Sequence, residues 1–139
     1  HENKIEELKK YAVNATRLMI VFSTPIVIII WIFPFEIMNL FGEGFENGIW
    51  MLRVLALGQF VNVITGSVGY LLLMSGNEKD MRNITIIVGL FSLVLSILLT
   101  KYYGALGTSV AIALALAAQN LMAVRMVKKR LGFNTMAIF

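Results

Sequence analysis

The stretch Ile84–Thr100 reads ITIIVGLFSLVLSILLT. It holds no charge, and its only polar side chains are small hydroxyls. A helix on the surface of a water-soluble bundle carries a polar stripe on one side. None can be drawn here, so the segment predicts a helix whose solvent is hydrocarbon. Three more stretches behave alike: about 12–33 with LMIVFSTPIVIIIWIF, about 54–74, and about 105–124. A helix rises about 1.5 Å per residue and a bilayer core is about 30 Å thick, so roughly 20 residues span it. The segment at 84–100 is short, a deficit that local thinning or snorkelling flanks absorb.

Composition agrees. The chain of 139 residues is 58% hydrophobic and 14% charged, with mean hydropathy +0.80. Soluble domains carry about 45–50% apolar and about 25% charged residues, and a small domain cannot hide such a surplus inside itself. The expectation is one all-α membrane domain. A polar start covers 1–11, a four-helix transmembrane region covers 12–128 with an interfacial connector at 34–53, and a basic tail covers 129–139. The chain starts without Met, at His1, and reads as a piece of a longer protein. Pro25 predicts a bend in the first span, with Ser23 and Thr24 placed to satisfy freed backbone groups.

The connectors differ in kind. PFEIMNLFGEGFENGIWMLR (34–53) is long enough for a short helix lying at the interface. The stretch Leu71–Asn83, LLLMSGNEKDMRN, holds a tight polar turn at Ser75–Arg82, with Ser75 and Gly76 ending one helix and Asn83 capping the next. KYYG (101–104) is a minimal turn with boundary tyrosines. Orientation follows from the cations. A cytoplasmic N-terminus puts Lys4, Lys9, Lys10, Arg17, Lys79, Arg82, Arg125, Lys128, Lys129 and Arg130 inside, against Arg53 and Lys101 outside. Ten against two is a strong positive-inside bias, carried mainly by Lys79, Arg82, Lys128, Lys129 and Arg130.

Catalytic chemistry finds no footing. There is no cysteine, no internal histidine and no phosphate-binding Gly-rich loop, so the reading is a non-enzyme with no catalytic residue, cofactor or metal. Glu78 and Asp80 resemble an acid pair but are flanked by Lys79 and Arg82, as in a solvated turn. The basic balance is explained by topology rather than by nucleic acid. Two faces remain. Gly58, Asn62, Thr65/Gly66 and Gly69 form a small, partly polar stripe, and Gly107, Ala111, Ala115 and Ala118 form another, near Gln119 and Asn120. Small residues let helices approach closely in lipid. Gln59, Asn62 and Thr65 are therefore candidates either for helix packing or for lining a hydrated path that hydrogen-bonds sugars.

From YLLLMSGNEKDMRN through KYYGALGTS to MVKKRLGF, the chain resembles the C-terminal end of polysaccharide flippases, O-antigen flippases among them. These belong to the multidrug/oligosaccharidyl-lipid/polysaccharide exporter superfamily. The features are an L-x-x-SG-x-E-K-like turn (Leu72–Lys79), a K-Y/F-x-G-x-x-G-x-A/S-like turn (Lys101–Ser109), and a small-residue helix closing in MVKKRLG. Upstream, IMNLFGEGF after the first span resembles the family's outer connector. The resemblance implies the last four helices of the second lobe of a twelve-helix, MATE-like transporter in the cytoplasmic membrane. Its implied partners are membrane lipids, a lipid-linked oligosaccharide substrate and the remaining helices. A multidrug exporter of the same superfamily, a structural or oligomerising membrane subunit, and a membrane transferase are the other classes. The transferase would show interfacial acidic or histidine clusters, and none is present.

Overall fold

The computed structural model describes residues 2–133 and 135, and among them the chain is helical throughout, with no strand. His1 lies outside the described residues, as do 134 and 136–139 of the basic tail. The elements are α1 (Glu2–Ile32), α2 (Pro34–Asn39), a 3-10 turn (Phe45–Gly48), α3 (Ile49–Thr65), α4 (Val68–Met74) and α5 (Glu78–Leu131).

Among the described residues, three helical runs are long and apolar enough to cross a membrane: Glu6–Ile32, Phe45–Thr65 and Glu78–Leu131. Most of their apolar surface faces outward. Phe22, Ile26, Ile29, Leu90, Leu93 and Ile97 are all exposed. In water, each large apolar side chain left exposed forgoes about 1.5–3 kcal/mol of burial. A whole domain has only about 5–15 kcal/mol of net stability. Such a surface is compatible with a multi-pass membrane protein.

The third run cannot be straight. Its 54 residues would extend about 80 Å, well over twice a hydrocarbon core. Gly104 breaks it with φ 59° and ψ −144°, a region essentially restricted to glycine. An outgoing arm (78–103) and a return arm (105–131) then lie antiparallel. Three contacts at successive depths establish the register. The Thr100 and Thr108 hydroxyls are 2.6 Å apart. The Gln119 amide donates to Thr85 Oγ1 at 3.5 Å. Arg130 Nε meets Asp80 Oδ2 at 2.7 Å. The turn is tighter than KYYG implied, because helix persists through Tyr103 and only Gly104 departs from it.

The second apolar segment is not one helix over 54–74. It begins earlier, at Ile49, and is interrupted at Gly66–Ser67. Gly66 holds φ 75° and ψ −165°. Thr16 Oγ1 of α1 occupies the space a Cβ would need there. α3 packs on both α1 and α5, and α4 packs on α5. α3 comes close to the return arm at Gly58, where a Cβ would stand 2.9 Å from Ala113 Cα. Gly107, Ala111 and Ala115 of the small-residue stripe are buried. The buried apolar cluster gathers Leu72, Val68, Ile84, Val127 and Phe133 around α4 and the charged end of the hairpin.

α1 continues on both sides of Pro25. Two local expectations are corrected. Thr24 and Ser23 both donate to Ile20 O, at 2.6 and 3.3 Å, not to the carbonyl of Val21, which Pro25 leaves without its usual donor. The cap before α5 is Asn77, not Asn83, so the polar turn shrinks to Ser75–Asn77. Asn77 Nδ2 bonds Ser75 Oγ at 2.9 Å. Glu78 and Asp80 then occupy the first helical turn, where their charge favours the positive end of the helix dipole. The connector holds two short helical pieces, α2 and the 3-10 turn, where one short helix was expected.

Gly66→Ala should destabilise the fold by about 1–3 kcal/mol, from backbone strain and overlap with Thr16. Denaturant unfolding in detergent measures it, and Gly89→Ala, at an open helical site, should be neutral or slightly stabilising.

Candidate functional site

The break at Gly66 opens an uncharged polar recess. Ending α3 at Thr65 and starting α4 at Val68 leaves a notch against the return arm of α5. A cavity of about 370 Å³ fills it, lined by Asn62 and Val63 of α3, Gly66, Ser67, Gly69 and Tyr70 at the break, and Leu116, Gln119 and Asn120. Met19 of α1 and Met81 of α5 supply apolar walls. No charged side chain lines it.

Its polar groups are only lightly engaged. Asn62 Nδ2 reaches Gln59 Oε1 at 3.4 Å, and Gln119 Nε2 reaches Thr85 Oγ1 at 3.5 Å. Both are long for N–H···O bonds, whose usual range is 2.7–3.2 Å. Asn120 donates to Leu116 O at 2.8 Å. A carboxamide offers two donors and two acceptor lone pairs, so Asn62 and Gln119 retain capacity for a hydroxylated guest.

The three residues singled out from sequence separate. Asn62 lines this cavity. Gln59 faces a different crevice of about 300 Å³ between α1 and α3, walled by Ile26, Val27, Leu55 and Phe60. Thr65 is buried in packing: its hydroxyl donates to Val61 O at 3.1 Å and Asn62 O at 2.8 Å. Its carbonyl, freed where α3 stops, accepts from Thr135 Oγ1 at 3.0 Å. Sequence reasoning marked Gln119 and Asn120 only as amides at a helix end; the antiparallel return of α5 brings them to the cavity. Ser67 and Tyr70 were missed. The available signal was the Gly66-Ser67 pair inside an apolar run, a local breaker pattern.

The basic residues gather at the other landmark of the fold. Asp80 and Arg130 join the first turn of α5 to its last, which places Lys79, Arg82, Lys128 and Lys129 at the same end of the hairpin. All four are exposed. The Asp80 carboxylate, by hydrogen bond and by charge, raises the Arg130 pKa above its ordinary value. Gly132 closes the return arm, its N–H donating to Lys128 O at 3.1 Å. Among the described residues, no group of three His, Cys, Asp or Glu comes together that would hold a metal ion.

Searches against protein-family models, curated proteins and solved structures find no match to this chain.

Proposed function

We propose that the chain is a four-crossing part of a membrane transporter of the polysaccharide flippase type. In this reading it helps move a lipid-linked oligosaccharide to the outer leaflet of the cytoplasmic membrane by alternating access. The observation that carries the reading is the uncharged cavity of Asn62, Ser67, Tyr70, Gln119 and Asn120 beside an interrupted helix. Broken helices beside polar cavities are how transporters place hydrogen-bonding backbone at membrane depth. Sugars present hydroxyls in several directions and no charge, which matches amides and hydroxyls. The short motifs at Leu72–Lys79 and Lys101–Ser109 support the same family. The absence of any charge in the recess favours sugar over a cationic drug, whose coupling sites usually hold an intramembrane acid.

The two arms of α5 supply the third and fourth crossings, each about 26 residues and able to span alone. The cations at the Asp80–Arg130 end then face the cytoplasm, together with both ends of the chain.

Asn77→Cys should react with a membrane-impermeant maleimide in inside-out vesicles and not in intact cells. Labelling in intact cells would reverse the orientation. For transport, the intact protein is reconstituted with a fluorescent, lipid-linked oligosaccharide. Asn62→Leu should slow its transfer between leaflets about tenfold or more, the loss of one to two desolvated hydrogen bonds, while thermal unfolding stays near wild type. Unchanged sugar transfer with impaired efflux of a cationic dye would favour a drug exporter. No effect on either would leave a structural role.

A further inference from the structure

Arg53 is the one Lys or Arg between Arg17 and Lys79, and the chain has two tryptophans, Trp31 and Trp50. The fold brings all three together. The guanidinium carbon stands 5.4 Å from the Trp31 ring centre and 5.1 Å from that of Trp50. Arg53 Nη2 donates to Trp31 O at 3.0 Å, one of the carbonyls that α1 leaves open at its C-terminal end. Arg53 thereby ties the end of α1 to the start of α3.

The ties leave the cation incompletely served. Nε is buried and finds no acceptor among the described residues. The only ion pair among the described residues is Asp80–Arg130, so none of the described carboxylates pairs with Arg53, although Glu36, Glu43 and Glu46 lie on the adjoining connector. Both indoles stand within cation–π range of the guanidinium. Trp31 is 39% exposed and Trp50 60% exposed, so the cluster is open to the surroundings. Tryptophan settles where hydrocarbon meets headgroups, and a planar guanidinium recognises phosphate with paired N–H donors.

We propose that Arg53, bracketed by Trp31 and Trp50, binds the phosphodiester of an anionic phospholipid at the membrane boundary. The site rests on the membrane placement of the chain, but not on the transported substrate. The lipid supplies a counter-charge for Arg53, and the indoles set the depth at which its headgroup sits.

The test is native mass spectrometry of the full chain in detergent, titrated with phosphatidylglycerol. Arg53→Gln should weaken the apparent affinity about fivefold or more, and millimolar inorganic phosphate should not displace the lipid. Equal affinity in wild type and Arg53→Gln overturns the site, and displacement by inorganic phosphate overturns the lipid assignment. Should Arg53→Gln lose its helical circular dichroism, Trp50→Leu decides instead: weakened binding supports the site and unchanged binding overturns it. Alkaline extraction of wild-type membranes checks the placement separately. Retention leaves the outcome at Arg53 to stand alone, and release overturns both.

Discussion

The backbone break at Gly104 is the constraint on which the remaining structure depends. A helix satisfies its own polar backbone, which is why an apolar chain can stay in hydrocarbon at all. A helix of 54 residues is too long to stay there unbroken. One residue in a glycine-only conformation resolves the conflict by turning the chain back on itself. Everything on the return arm follows from it. Ala111 and Ala115 reach the interior, Gly58 of α3 meets Ala113, Gln119 comes opposite Thr85, and Arg130 meets Asp80.

The second break, at Gly66, works differently. Gly104 sits among exposed residues at a hairpin tip, with nothing near its missing Cβ. Gly66 lies within the packed body, with Thr16 against it. A break inside a bundle must find partners for the groups it frees. Thr65 O takes the Thr135 hydroxyl, and the Val68 N–H turns back to Gly66 O at 2.8 Å. What remains is a recess with amides on two sides. Packing and cavity are thus not alternatives here: Thr65 serves one and Asn62, a single turn away, serves the other.

Much of this was legible in the sequence because hydrocarbon is an undemanding solvent to recognise. The lack of charge in 84–100, the cations grouped by loop, and the small residues at Gly107, Ala111 and Ala115 all express one-dimensional rules. The cavity was legible only in part. Asn62 stood out as an amide in an apolar run, but Gln59, three residues earlier, looked equivalent and faces another crevice. Their separation depends on where α1 and the return arm lie around α3, which no local pattern encodes. The break at Gly66 was hidden because Gly and Ser are also ordinary packing residues in membrane helices. The displaced cap at Asn77 has a similar cause. Polar residues after Gly76 look like loop, yet Glu78–Arg82 are good enough helix formers to extend α5 back to the turn.

The central claim is that α5 folds back at Gly104 so that its two ends meet. Spin labels at Arg82→Cys and Lys128→Cys, both at exposed positions, measure this by pulsed dipolar spectroscopy in lipid nanodiscs. Helices packed side by side lie about 8–10 Å apart, and label linkers widen that to about 10–25 Å, the separation the account predicts. A continuous helix would place the two sites about 70 Å apart. A distance distribution centred there would contradict the hairpin, and with it the cavity and the shared charged end.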